Sequence, residues 1–292
     1  MIRIENLTKT YGDHTVVDDL TFTAPAGLVT GFLGPNGAGK STTLRILCGL
    51  ADADSGTATI DGVGFRQLPT PGRKVGVMLS ANALHSARTG QETLRLAALV
   101  DGLPRDVIAP MLARVGLVDA ARKRVGAYSL GMRQRLGLAV ALLGEPDVLI
   151  LDEPANGLDP EGIRWMRELL DDFAADGGTV LLSSHFLGEV QHVADRIVVI
   201  HKGRLITSGP TTELLASGEA QVVAATDGAA LRSVLTEEGL EWIDLDGSDG
   251  VQVAAVADRI GDIALRHGLV LTRLEGVSSD LETRFLELTQ AA

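Results

Sequence analysis

Apolar and charged positions alternate through Met1-Ile2-Arg3-Ile4-Glu5-Asn6, the two-residue rhythm of a strand with one face covered. Residues 2–32 continue as short strands joined by polar turns. The last of them, Leu28-Val29-Thr30-Gly31-Phe32-Leu33, is apolar enough for a strand buried on both faces, and it stops at Gly34. The period then lengthens: Leu44, Ile46, Leu47 and Leu50 give residues 41–50 a helical rhythm, and Thr57 to Ile60, ahead of Asp61-Gly62, predicts a hairpin strand. Residues 88–144 are rich in Leu, Ala and Arg at helical spacing and read as an all-helical insertion. Beyond it, Val148-Leu149-Ile150-Leu151, Thr179-Val180-Leu181-Leu182 and Ile197-Val198-Val199-Ile200 are short β-prone runs separated by helix-length segments. That alternation predicts an α/β core with a parallel sheet. After about residue 215 the texture changes: predicted strands at 220–226, 240–245, 250–256 and 269–274 alternate with helical stretches near 229–238 and 257–267, a small α+β module. Ser278-Ser279-Asp280-Leu281-Glu282, followed by Phe285 and Leu286, predicts a capped terminal helix.

Charge sharpens this division. The formal net charge of −12 sits mostly in residues 211–292, which hold 15 acidic against 5 basic side chains, compared with 23 against 21 before them. An acidic surface repels phosphate backbones and anionic headgroups alike, which argues against direct binding to nucleic acid or to a membrane surface. The single cysteine, Cys48, leaves no internal disulfide or multi-cysteine zinc site and fits a reducing compartment; its place on the first predicted helix suits a small core residue. The apolar run at 136–144 is cut off by Glu145, well short of the roughly 20 residues a spanning helix needs, and the N-terminus lacks a signal-peptide core. A cytoplasmic location is the expectation.

The strongest chemical signal is Gly34-Pro35-Asn36-Gly37-Ala38-Gly39-Lys40-Ser41-Thr42, which fits the phosphate-loop pattern G-x-x-x-x-G-K-[ST] between a predicted strand and a predicted helix. The glycines let the backbone curl so that successive N–H groups face inward at the positive end of the helix, a nest for an anion. Lys40 can reach the β- and γ-phosphates as a mobile charge, and Ser41 can offer its hydroxyl to Mg²⁺. A second signal is Asp152-Glu153, delivered by an apolar strand at its C-terminal end, where open α/β sheets place ligands. Neighbouring strand residues point to opposite sides, so the two acids can take different roles. Asp152 suits a magnesium shell, and Glu153 suits a general base that polarises water.

A third set separates the chain from kinases and small GTPases. Tyr128-Ser129-Leu130-Gly131-Met132-Arg133-Gln134-Arg135 lies upstream of the acidic strand, and Gly157-Leu158-Asp159-Pro160 follows it. Over residues 1 to about 215 the sequence resembles the ATP-binding cassette (ABC) family, whose signature segment, acidic strand and following loop occur in this order. The fold this implies is a P-loop NTPase core over 1–215 with a helical subdomain at about 88–144, carrying a C-terminal appendage over 216–292. By the same resemblance Gly34 to Thr42 is the phosphate loop, Asp152 the magnesium-site acid and Glu153 the catalytic glutamate. His185 in Leu182-Ser183-Ser184-His185 is the switch histidine that contacts the γ-phosphate, and Tyr11 falls where such cassettes stack an aromatic ring on adenine. The signature helix end, with Ser129 as its expected N-cap and Gly131 beside it, would face the phosphate loop of a second cassette, burying ATP between two chains, and Asp159 counts with the nucleotide-binding residues.

The signature reads Tyr128-Ser129-Leu130-Gly131-Met132 where L-S-G-G-Q is common, a variant closer to drug-resistance exporter ATPases than to nutrient importers. After the strand Val75-Gly76-Val77-Met78-Leu79, Ser80 falls where the family usually has a glutamine that touches Mg²⁺ and senses the membrane subunit. Either a water fills the gap or the coupling is weaker. The expectation is an ATP-hydrolysing subunit, at the inner face of the cell membrane through a separate membrane-spanning permease, which exports a drug, antibiotic or lipid-like compound. Two rivals stand beside it: a non-transport cassette ATPase, and an ATP-gated regulatory module with weak hydrolysis.

Overall fold

The computed structural model describes residues 1–216, 220–245 and 250–276, and its contacts divide the chain into two units, Met1–Thr211 and the residues from Thr212 onward. In chain order the first unit contains β1 (Ile2–Tyr11), β2 (His14–Ala24), β3 (Val29–Leu33), α1 (Lys40–Leu47), β4 (Ser55–Ile60), α2 (Pro71–Lys74) and β5 (Val75–Met78). There follow α3 (Gly90–Val100), α4 (Ile108–Arg114), α5 (Leu130–Leu142), β6 (Val148–Asp152), α6 (Pro160–Ala175), β7 (Thr179–Ser184), α7 (Leu187–Val190), β8 (Arg196–His201) and β9 (Arg204–Pro210). A short helix α8 (Thr211–Ala216) leads on to β10 (Ala220–Ala225), α9 (Gly228–Glu237), β11 (Trp242–Asp244), β12 (Val251–Ala254), α10 (Ala257–Arg266) and β13 (Leu271–Gly276).

The central sheet has the order β5-β6-β7-β3-β8-β9, parallel except for the antiparallel edge strand β9. Its inner strands are the β-branched and leucine runs of the sequence, and every residue of β3 and β7 is buried. A strand covered on both faces has no solvent face to alternate with, hence the unbroken apolar runs. The register brings Leu33 opposite Ser184 and Asp152 opposite Ser183, so three strands end level at one edge. A second, antiparallel sheet of order β2-β1-β4 packs on this one; Phe22 of β2 stacks on Phe32 of β3 with ring centroids 5.0 Å apart. The predicted hairpin strand at 57–60 is therefore corrected. Its partner is β1, at the start of the chain, and the Asp61-Gly62 turn closes only a single bridge, Ile60 to Val63. The edge strand β9 follows a two-residue turn, Lys202-Gly203, whose positive φ angles match the twist of an antiparallel pair.

Between β5 and β6 the chain is helical, as its leucine spacing predicts. Thr89 caps α3 in a reciprocal box with Glu92, and Tyr128, buried, donates its hydroxyl to Ala120 O at 2.7 Å, tying the end of the insertion to the start of α5. The second unit is a βαββαβ module with sheet order β11-β12-β10-β13, the split-βαβ ferredoxin-like arrangement. Val223, Val251 and Val253 of its sheet pack with Leu231 and Leu235 of α9 and Ile260 and Ile263 of α10. The helix predicted over 278–286 lies outside the described residues.

Cys48 is buried at the end of α1, and burial pushes its thiol up to about 12. The folded protein should resist iodoacetamide at about pH 8 and label only in denaturant, since the thiolate is the nucleophile; mass spectrometry of the labelled chain checks this. Phe32→Ala, which opens a cavity between the two sheets, should cost about 3–5 kcal/mol in urea unfolding of the first unit.

Candidate active site

The phosphate-loop segment connects β3 to α1 at the level edge of the sheet. Gly39 is the N-cap of α1 at φ +104, and a Cβ there would lie 2.6 Å from Val16 O, so the position excludes every side chain. Helices α3, α5 and α6 have side-chain caps from Thr89, Ser129 and Asp159, whereas α1 has none. The first N–H groups of α1 thus point from a helix end without a competing side chain, which suits an anion. The loop is anchored from the far side by the β8–β9 turn. Gly203 N–H donates to Ala38 O at 3.0 Å, Asp18 N–H donates to Gly203 O at 2.9 Å, and Arg204 pairs with Asp18 at 2.7 Å.

Lys40 is buried, 6% exposed, with its ammonium donating to Gly34 O at 2.6 Å and Pro35 O at 3.3 Å. Its Nζ also lies 4.0 Å from Glu153 Oε1. Burial lowers the Lys40 pKa from the usual amine value, and the nearby carboxylates of Glu153 and Asp152 work against that shift. Ser41 donates its hydroxyl to Asp152 Oδ2 at 2.9 Å, while Ser183 of β7 donates to Asp152 Oδ1. Asp152 is thereby aimed at the phosphate loop across the intervening strand β7.

Glu153, one residue past β6, has φ +51, a left-handed conformation that costs a non-glycine residue roughly 1–2 kcal/mol. Its N–H donates to Ser183 O at 3.1 Å and to Ser183 Oγ at 3.2 Å. His185 Nδ1 lies 2.9 Å from Glu153 Oε2, and the imidazole leans on the Phe186 ring with centroids 3.9 Å apart. One carboxylate oxygen of Glu153 therefore faces the imidazole and the other faces the Lys40 ammonium.

Lys40, Ser41, Asp152, Glu153 and His185 form one network, with Gly34 and Pro35 in it through their carbonyls. Asn36 and Gly37 lie in the turn of the loop, and Thr42 in the first turn of α1. Ser129 and Gly131 stand outside that network. Ser129 is exposed and caps α5 by accepting from Met132 N–H at 3.2 Å. Asp159 accepts from Gly162 N–H at 2.8 Å, so its carboxylate caps α6. Tyr11 is half exposed at the end of β1, with the Lys9 ammonium 5.2 Å from its ring centroid. Ser80 follows β5 at the same sheet edge as Asp152 and is exposed.

A family model described as ABC transporter matches residues 17–156. The bacitracin transport ATP-binding protein BcrA of Enterococcus faecalis is 36% identical over 295 residues, covering 99% of this chain and 96% of that protein. The chain belongs to the ABC transporter family. The lantibiotic transport ATP-binding protein SrtF of Streptococcus pyogenes is 39% identical to this ABC protein over 206 residues, 70% of this chain and 89% of SrtF. Among solved structures, an ATP-binding subunit of an ABC transporter superposes with a TM-score of 0.67 at 31% identity, covering 73% of this cassette chain and 91% of that one.

Two residues of this ABC protein's site carry no role in the sequence reading. Ser183 lies inside the Leu182-Ser183-Ser184-His185 segment; a buried serine after the apolar run Val180-Leu181-Leu182, level with an acid of the neighbouring strand, is the signal that could have found it. Gln134, within the signature segment, is a buried amide in a helix otherwise lined by Leu and Ala. Asp159→Ala should lower the stability of the cassette by about 0.5–2 kcal/mol through loss of the α6 cap, read by thermal unfolding, while Asp159→Asn should keep most of it.

Proposed function

We propose that this chain is the ATP-hydrolysing subunit of an ABC exporter. The phosphate-loop fold over residues 1–215 is the engine, and residues 216–292 form an appended module. The observation that carries the reading is the convergence on one edge of Lys40 (4.0 Å from Glu153) and Ser41 (2.9 Å from Asp152), a cation and a hydroxyl meeting the acid that ends β6 and the one that follows it. The substrate is ATP with magnesium. A serine hydroxyl beside one carboxylate is a hard-oxygen donor pair, and Mg²⁺ takes one or two such protein ligands with phosphate and water as the rest. Ser41 and Asp152 would hold it, and bound Mg²⁺ supplies charge neutralisation on the phosphates.

The residues then divide the work. The amides at the start of α1 and the Lys40 ammonium bind the phosphates, with Lys40 exchanging its loop carbonyls for the stronger anionic acceptors. Glu153 accepts a proton from the water whose oxygen bonds to the γ-phosphorus as the bond to the β–γ bridging oxygen breaks, releasing ADP and phosphate. His185 holds the carboxylate by Oε2, leaving Oε1 toward the loop. Tyr11 offers a ring face to the base, a contact worth about 1–3 kcal/mol and tolerant of base identity. A second copy or a related cassette, with Ser129 and Gly131 at its helix end, closes over the nucleotide.

Among the described residues no helix is long and apolar enough to cross a membrane. Relatives named as transport ATP-binding proteins support a separate permease that carries the translocation path and holds this subunit at the membrane. Relatives named for bacitracin and lantibiotic transport support an antibiotic-like compound as cargo.

Glu153→Gln should lower phosphate release by about 10²–10⁴-fold with ATP affinity retained, and normal turnover in that variant would refute the assignment. Lys40→Ala should instead abolish ATP binding in equilibrium dialysis.

A further inference from the structure

Gln134 lies in α5, five residues past the Ser129 cap, and its side chain is 4% exposed. Its amide nitrogen donates to Glu153 O at 3.2 Å and to Asn156 O at 2.9 Å. Its Oε1 is buried and finds no donor among the described residues. A buried amide with an unmet acceptor is a costly choice where an apolar side chain of the same length would pack, so what the position gains is the pair of donor bonds. Those bonds fall on a backbone that needs holding. Glu153 is at φ +51, its N–H is secured by Ser183, and Gln134 secures its carbonyl from the opposite side. The same turn also rests on the first turn of α5. Gly157 is at φ +78 and lies so close to Leu130 that a Cβ there would collide with the leucine side chain.

We propose that Gln134 is a positioning residue for Glu153, tying the helix that begins at Ser129 to the backbone of the carboxylate-bearing residue in the same chain. The proposal rests on the reading of Glu153 as general base. In a two-fold sandwich the Ser129 end of α5 meets the partner's nucleotide while Glu153 serves the chain's own. Gln134 then lies between the two ends of the chain's contribution to the sandwich.

The test uses the purified full-length chain, Mg-ATP, and single-turnover phosphate release. Gln134→Met keeps length and removes both donors. It should lower the hydrolysis rate about tenfold and leave the ATP dissociation constant within about twofold. Placed on Glu153→Gln, it should reduce the residual rate no further, because a residue acting through Glu153 loses its effect when that carboxylate is gone. An equal loss in both backgrounds, a weakened ATP affinity at unchanged rate, or wild-type kinetics in Gln134→Met would each overturn the proposal. Should Gln134→Met fail to fold, Gln134→Glu, which exchanges the donor for an acceptor at the same length, faces the same expectations. Full activity of Glu153→Gln alone would sink the general-base reading, an outcome separate from normal activity of Gln134→Met beside an inactive Glu153→Gln.

Discussion

Everything at the site hangs on Asp152, gripped on one oxygen by Ser41 of the phosphate loop and on the other by Ser183 of the neighbouring strand. Two hydroxyls from different elements converge on one carboxylate only if β3, β6 and β7 end at the same height. The parallel register, Leu33 opposite Ser184 and Asp152 opposite Ser183, provides this. The register depends in turn on strands buried on both faces, where a slip would break many apolar contacts at once. The precision of the polar cluster is therefore borrowed from the leucine and valine runs beneath it.

A related balance governs the charges. Lys40 is desolvated, which alone would favour loss of its proton, and the two carboxylates close by oppose that tendency. Glu153 is held by groups of contrasting kind: an imidazole on one oxygen, an ammonium near the other, and serine and glutamine contacts on its backbone. The left-handed turn at this residue brings its side chain toward Lys40, beside the Ser41–Asp152 contact, where continued strand geometry would send it to the opposite side.

Much of this is legible in the chain. The buried run ending at Gly34, the loop that follows and the acid pair after Leu151 are local patterns whose geometry is set by nearest neighbours, and they fall where the period changes predict. The appended module is legible for the same reason, since its strands and helices alternate at close spacing. What stays hidden are relations between distant segments. The partner of β4 is β1, and no turn chemistry near Asp61-Gly62 indicates it. The Lys202-Gly203 turn is masked because the apolar run before it reads as the last strand of a parallel set. Ser183 and Gln134 are buried polar residues, and their roles become visible only when the carbonyls and carboxylates they meet are brought in by other segments. Asp159 carries a capping bond that its position in a motif does not suggest.

The β8–β9 turn reaches both ways, from Ala38 O in the phosphate loop to Asp18 on β2, the strand paired with the one that ends at Tyr11. A surface hairpin of two residues would ordinarily be free to lengthen or vary among related chains. Here it works as a rivet: an added residue would release Ala38 of the phosphate-loop segment from Asp18 and so from the small sheet that ends at Tyr11. Its length is thus under the same constraint as the glycines of the loop itself, although nothing in its composition announces it.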